Sequence, residues 1–373
     1  MTQADRLLSL FGDAGHASVD RAIAEFRSGR PVVISGGKTR VLALCVEAID
    51  ADTATDLHAF SQGQGRLLLP AARLRRLGAE RRTTGGSIAF PVVDALRIGT
   101  LCLGLEARLD APVAPLSDID TAALELASLS LTLPGVFLAP VTGKMPAGVV
   151  SVSAGDVHEF RRNAATNLAL ISRAPVPLEQ SARTEFVVFR GGEGMRDQVA
   201  IIVGTPDLAK PVAVRMHSAC LTGDLFGSLK CDCGDQLRST VKQMAESDGG
   251  ILLYLDQEGR GNGMANKMRA YKLQSQGWDT YDADEALGFD LDQRHFGFAA
   301  DMLTQLGVTS VRLMTNNPLK IAALQDAGLS VASDERVLGR QTAENVRYLA
   351  SKRDRAGHFI EFDSKAAFAP QQD

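Results

Sequence analysis

From residue 234 onward the chain alternates between two hydrophobic periods, and this limits the folds open to it more than any other feature. DQLRSTVKQMAES, ANKMRAYKLQSQG, FGFAADMLTQLG and PLKIAALQDAG carry apolar residues at helical spacing, whereas GILLYLD and SVRLMT are short apolar runs. Just upstream, TEFVVFRG, QVAIIVG and VAVRMHS read as further strands. Apolar strands interleaved with amphipathic helices bury both faces of a sheet beneath helical layers. The expectation is an α/β (α+β) chain built on mixed sheets flanked by helices.

The first part has the same grammar. VDRAIAEFRSG has helical periodicity and stops at Gly29, RPVVISGG and KTRVLALCVEAI are apolar strand-like runs, and DIDTAALELASLSLTLPGVFLAP reads as helix, Pro-Gly break and buried strand. Between the two parts, VSVSAGDVHEFRRNAATNLALISRAPVPLEQ loosens into a polar helix and a stretch carrying Pro175 and Pro177. At 373 residues the chain exceeds the usual size of one domain, so two are expected, residues 1–160 and 161–373.

Composition excludes several functions. A formal net charge of -4 argues against nucleic-acid binding, which shows as a basic excess or stripe, yet leaves a small anionic ligand open. The opening MTQADRLLSL lacks the pattern of a secretory signal, and no apolar run approaches the length of a membrane span. No membrane association is expected, and the cytoplasm is the expected compartment.

Of five cysteines, Cys45 and Cys102 sit alone in apolar runs and read as buried packing residues. The other three crowd into HSACLTGDLFGSLKCDCGDQL as Cys220, Cys231 and Cys233. Thiolates are preferred zinc ligands, and a site with three protein ligands keeps a fourth position for water. By spacing alone, a closed structural zinc site with His217 as fourth ligand, or three unligated cysteines in a tight loop, stays open.

The run RMHSACLTGDLFGSLKCDCGDQL, followed by DQEGRGNGMANKMRAYKLQSQGWDT, LMTNNPLK and ENVRYLASKRDRAGH, closely resembles GTP cyclohydrolase II of riboflavin biosynthesis over roughly residues 175 to 365. The resemblance implies conversion of GTP to a diaminopyrimidine ribosylamine phosphate with release of formate and pyrophosphate, one zinc ion on Cys220, Cys231 and Cys233, magnesium on the triphosphate, and a homodimer. It carries nucleotide contact to Arg215, Gln236, Glu258, Arg260, Thr280, Thr315 and Lys320. It also carries a proton acceptor to Asp292, a nucleophile toward the α-phosphate to Arg294, and a catalytic tyrosine to Tyr271. As chemistry, Glu258 suits the guanine N1 and N2 donors and Arg260 a phosphate. A guanidinium is a poor nucleophile, so Arg294 reads better as an electrostatic clamp on the leaving pyrophosphate.

The sequence departs from that family's pattern in three places. Ala219 stands where many relatives have glutamate before the first cysteine, and Asn262 stands in a loop usually read as GRGIGL or GRNIGL. VDRAIAEFRSGRPVVI resembles the opening of dihydroxybutanone phosphate synthase, which precedes the cyclohydrolase in two-domain relatives. The acidic stretch supplying that enzyme's metal-binding carboxylates is here GGKTRVLALCVEA. A degenerate, inactive synthase-like first domain is therefore expected.

Overall fold

The computed structural model describes residues 13–162, 168–192, 197–290, 294–340, 342 and 345–360. Two compact units emerge. One comprises Met1–Asn163, Asn262–Leu273 and Asp282–Asp292; the other comprises Ala164–Gly261, Gln274–Tyr281 and Gln293–Asp373.

In chain order the first part runs α1 (Ala14–Arg27), β1 (Val32–Gly36), β2 (Thr39–Cys45), α2 (Ala51–Ser61), β3 (Gly65–Leu69) and α3 (Ala71–Arg76). It continues with β4 (Gly86–Phe90), α4 (Ala95–Leu103), β5 (Val113–Ala114), α5 (Asp118–Leu129), β6 (Val136–Pro140), β7 (Ser151–Ser153) and α6 (Ala154–Phe160). The strands form one seven-stranded sheet in the order β5-β4-β3-β6-β2-β1-β7, antiparallel except where β1 meets β7. Local signals act as read: Asp13 caps α1, Ser117 and Asp120 form a capping box on α5, and Gly29 adopts the left-handed conformation just beyond α1. Gly37 and Lys38 turn the β1–β2 hairpin, with Gly37 at φ +58°.

The second part runs β8 (Ala169–Pro175), β9 (Thr184–Arg190), β10 (Asp197–Val203), β11 (Val212–Ser218), the one-turn α7 (Leu221–Asp224), α8 (Cys233–Ala245) and β12 (Gly250–Leu255). Then follow α9 (Met264–Gln274), α10 (Thr280–Ala286), α11 (Gly297–Gln305), β13 (Ser310–Met314), α12 (Pro318–Asp326), β14 (Ser330–Glu335) and α13 (Val346–Ala356). Its sheet has the order β14-β13-β11-β12-β10-β9-β8. The half from β8 to β12 pairs antiparallel, and the half from β12 through β11 and β13 to β14 pairs parallel. Both units thus have the mixed sheet and helical layers expected from the alternation.

Strand β11 is buried along almost its whole length, as a central parallel strand must be. Its Val212, Val214 and Met216 join Leu253, Phe296, Leu303 and Leu313 in one core, while Ala213 faces the opposite core with Val241, Met244 and Leu252. The period of two therefore sends Arg215 and His217 to the same face as Ala213. Truncating the fully buried Met216 or Leu253 to alanine would cost about 2–5 kcal/mol.

Strand β8 was not legible as one: the segment reads as a loosened boundary, but residues 169–175 pair with β9 at the sheet edge. All seven residues are exposed, so they carry no alternation, and Pro175 sits at the strand end where an edge tolerates it. Among the described residues, no helix is long and apolar enough to cross a membrane.

Candidate active site

Strands β12, β11 and β13 lie side by side and parallel, and the loops after their carboxyl ends carry several of the expected site residues. Open α/β sheets bind their ligands at such an edge. Cys220 follows β11 by two residues, Glu258 and Arg260 follow β12, and Thr315 follows β13 directly. Pro318 and the capping side chain of Asn317 start α12, which carries Lys320.

The three cysteine sulfurs lie within 4.8 Å of one another, with Cys220 Sγ and Cys231 Sγ 3.6 Å apart. Tetrahedral zinc with Zn–S near 2.3 Å holds its sulfurs about 3.8 Å from each other, so the trio has the span one zinc ion requires. Among the described residues, no histidine or carboxylate oxygen shares that span. His217 instead turns its Nε2 to Asp224, at 3.0 Å. The donor set is three sulfurs, the number that leaves a zinc coordination position open.

Crowding shows in the thiol acidities. The neighbouring Cys220 sulfur, then burial, pushes Cys231 up to about 11, and the Cys220 and Cys231 sulfurs, then burial, push Cys233 well above the usual thiol range. Three thiolates this close repel one another unless a cation sits among them, and a divalent ion reverses that balance. The loop is shaped tightly around the sulfurs: a Cβ on Gly223 would meet Cys231 Sγ at 2.7 Å and Cys220 Sγ at 3.1 Å, and one on Gly234 would meet the Gly223 carbonyl oxygen at 2.3 Å.

A buried polar network braces Cys220. Asp224 accepts from the Cys220 backbone N–H at 2.9 Å, from the Tyr254 hydroxyl at 3.0 Å and from His217 Nε2. His217 and Tyr254 are direct partners in the β11–β12 register, and their rings stack with centroids 5.7 Å apart. Burial outweighs the attraction of Asp224 and holds the His217 imidazole below its ordinary pKa, so it is neutral and donates to the carboxylate.

On the β12 side, the Glu258 carboxylate accepts from the Leu221 N–H at 2.6 Å and the Gly259 N–H at 2.9 Å, tying its loop to the cysteine loop. Gly259, Arg260 and Gly261 then adopt left-handed conformations in succession, at φ +62°, +63° and +87°. Glycine accepts this freely, but for Arg260 it is a strained state, of the kind that collects at ligand-binding sites. The Arg260 guanidinium lies 4.1 Å from the centre of the Tyr281 ring.

Arg294 and Lys320 converge on one ring. Each cationic group lies 5.2 Å from the centre of the buried Phe296 ring; Arg294 Nη1 also donates to Ser218 Oγ at 3.2 Å, and Lys320 Nζ donates to the Met216 carbonyl. Thr315 is buried, its Oγ1 accepting from the Asn317 N–H at 3.0 Å. Arg215 is also buried, donating to the Met314 carbonyl at 3.0 Å and to Gln236 Oε1; desolvation lowers its pKa to about 10. Gln236 in turn donates to Asp232.

The second unit therefore brings together Cys220, Cys231, Cys233, Arg215, Gln236, Glu258, Arg260, Arg294, Thr315 and Lys320. Thr280 opens α10 in the same unit, next to Tyr281. Tyr271 falls in the segment that clusters with the first unit, where Lys267 Nζ lies 5.5 Å from its ring centre. Asp292 lies outside the described residues. Sequence reasoning missed Asp224 and Tyr254, although Asp224 sits four residues after Cys220, one helical turn away, and Tyr254 alternates outward from an apolar strand. It also missed Tyr348 on α13, whose hydroxyl pKa is pushed well above its ordinary value by burial and by Cys233, Cys231 and Asp232.

Fold and site define the class: an α/β enzyme with three cysteines that could hold a metal ion at the carboxyl edge of a parallel sheet, in the same unit as several cationic side chains. Residues 170–337 match the family model for GTP cyclohydrolase II. A protein of Xylella fastidiosa named GTP cyclohydrolase-2 is 42% identical over 361 residues, covering 95% of this chain and 90% of its own. Another of that name from Azospirillum brasilense is 36% identical over 371 residues, covering 93% of this chain and 95% of its own. The chain belongs to the GTP cyclohydrolase II family. Among solved structures, the two-domain 3,4-dihydroxy-2-butanone 4-phosphate synthase RibBX of A. baumannii aligns over 86% of this chain and 99% of its own, at 14% identity and a TM-score of 0.31, too slight a likeness to carry an argument.

Proposed function

We propose that this chain hydrolyses GTP to 2,5-diamino-6-(5-phosphoribosylamino)pyrimidin-4(3H)-one, formate and pyrophosphate, with zinc on Cys220, Cys231 and Cys233 and magnesium on the triphosphate. One water replaces pyrophosphate, a second opens the imidazole ring at C8, and a third releases formate. The observation that carries this reading is the convergence of three sulfurs, at zinc-binding span, with Glu258, Arg260, Arg294 and Lys320 in one unit.

Zinc, when bound, supplies a Lewis acid and a water acidified to a pKa of about 7. The protein's own groups do the rest. Glu258, which accepts the Leu221 and Gly259 N–H groups, is the carboxylate whose chemistry suits the guanine N1 and N2 donors. Arg294 and Lys320 hold positive charge for the departing pyrophosphate, with Arg294 as a clamp. The resemblance assigns proton acceptance to Asp292 and contact with the opened ring to Tyr271. The resemblance also assigns nucleotide contact to Arg215 and Thr315, both buried, to Gln236, and to Thr280, which precedes Tyr281 on α10.

For residues 1–160 we propose a degenerate, inactive synthase-like domain: the β1–β2 turn holds Gly37 and Lys38, with Arg40 at the start of β2, where metal chemistry would need carboxylates. Ribulose 5-phosphate offered to the protein should yield no dihydroxybutanone phosphate. A homodimer, read by light scattering, completes the proposal. Mass spectrometry of a GTP and magnesium reaction tests it: the deformylated product must appear, and a product retaining the formyl group would replace this reading.

A further inference from the structure

After β14 the chain returns to the cysteine loop, within the same unit. Val337 joins the core built by Val241 and Met244 of α8, and Asn316 holds it at both ends, Nδ2 donating to the Val337 carbonyl and Oδ1 accepting the Val337 N–H at 3.0 Å. Gly339 lies against Asp232, the residue between two of the cysteines: a Cβ there would meet Asp232 Cβ at 2.6 Å and the Asp232 carbonyl oxygen at 2.8 Å. Arg340 Nε stands 3.7 Å from Asp235 Oδ2 on the first turn of α8, and Thr342 Oγ1 donates to the Leu229 carbonyl at 3.1 Å.

The same threonine starts α13. Its N–H donates to Asn345 Oδ1 at 2.9 Å while its Oγ1 accepts the Asn345 N–H at 3.1 Å, a reciprocal pair that fixes how the helix leaves the loop. At the far end Gly357, at φ +64°, terminates the helix, and the Phe359 N–H donates to the Asn316 carbonyl at 3.0 Å. Helix α13 therefore runs from the cysteine loop to the turn after β13. Asn345 and Leu349 are buried on it, Tyr348 and Lys352 are half-buried, and Arg353, Asp354 and Arg355 are exposed. Lys352 Nζ lies 4.1 Å from the Tyr348 ring centre.

The Tyr348 hydroxyl makes no hydrogen bond to any described residue. Its raised pKa, caused by burial and by the charges of Cys233, Cys231, Asp232 and Cys220, keeps it protonated, so what it offers beside the sulfurs is a neutral donor.

We propose that Tyr348 is a further substrate-binding residue, its hydroxyl donating a hydrogen bond to guanine N7 when C8 is presented to the three cysteines. This rests on the reading of the cysteine site given above. Two ring atoms adjoin C8. N9 carries the ribose and has no free lone pair, so N7 is the acceptor that a donor beside the sulfurs reaches. Tyr348 thereby selects a purine with nitrogen at position 7, and it keeps its own proton.

Isothermal titration calorimetry of the zinc-loaded full chain, with magnesium withheld so that the triphosphate stays intact, tests this with GTP and 7-deaza-GTP, which carries C–H in place of N7. Wild type should bind 7-deaza-GTP about three- to tenfold more weakly than GTP, the range of one neutral hydrogen bond. Tyr348→Phe should keep its zinc and melting temperature, bind GTP more weakly by a similar factor, and bind the two nucleotides alike. Should Tyr348→Phe lose zinc or fold, Tyr348→Met, which fills the same space without a donor, takes its place and must show the same loss of discrimination. Equal binding of both nucleotides by wild type, or undiminished discrimination by the variant, overturns the inference and leaves the cysteine site as read. A wild-type chain that binds GTP in neither condition, and releases no formate once magnesium is added, overturns the reading of the site as well.

Discussion

The Asp224 carboxylate accepts the backbone N–H of Cys220 at 2.9 Å, which fixes where the first sulfur of the cluster points. It also holds His217 and Tyr254, so one carboxylate couples the ligand loop to two central strands. Replacing it with asparagine removes the charge and turns one acceptor into a donor facing other donors. Asp224→Asn should weaken zinc binding about 10- to 100-fold, as loss of such bracing groups does elsewhere. Competition with a chromophoric chelator measures this, and wild-type affinity would show that the carboxylate does not brace the ligand.

His217 gives the stability a defined pH dependence. Its folded pKa lies below the ordinary 6.5, because burial disfavours the cation more than Asp224 favours it. The unfolded chain then binds the extra proton first, so the stabilising contribution is complete above pH 6.5 and is lost as pH falls from there toward the folded pKa. The slope approaches about 1.4 kcal/mol per pH unit for one proton. Urea denaturation of wild type and His217→Gln between pH 5 and pH 8 should show a steeper fall in the wild type; parallel curves would remove His217 as the cause.

Arg260 is held in a backbone state that glycine adopts without strain. Arg260→Gly should therefore keep or slightly raise stability, by up to about 1 kcal/mol, while weakening GTP binding at least tenfold through loss of the cation. Melting temperature and KM read the two effects separately. A destabilised variant with unchanged KM would mean the side chain serves the fold and not the nucleotide.

The five thiols should separate into two sets. Burial raises Cys45 to about 11 and Cys102 to about 12, and both are nearly inaccessible. With zinc bound, a thiol reagent should find no fast-reacting cysteine; after chelation Cys220, Cys231 and Cys233 should react, and the other two only on unfolding. Fast modification of Cys45 or Cys102 in the folded protein would contradict their burial.

Much of this was legible in the sequence because periodicity reports burial directly. The alternation after residue 234 gave β12, β13 and the helices between them, and the cysteine spacing pointed to the cluster before any geometry was known. What escaped was set by tertiary partners. The edge strand β8 is exposed on every residue and has no alternation to read. Asp224 is an ordinary acidic residue in a one-turn helix until β11 and β12 bring His217 and Tyr254 to it. The two segments that cluster with the first unit, Asn262–Leu273 and Asp282–Asp292, carry the same helical signal as their neighbours, and nothing local says which unit they join.

Zinc titration of the metal-free protein in the presence of GTP and magnesium tests the central claim most directly. Formate release should rise with added zinc and reach its plateau at one zinc per chain, while Cys231→Ser stays flat throughout. Full formate release before any zinc is added, or from the Cys231→Ser chain, would contradict a reaction centred on these three cysteines.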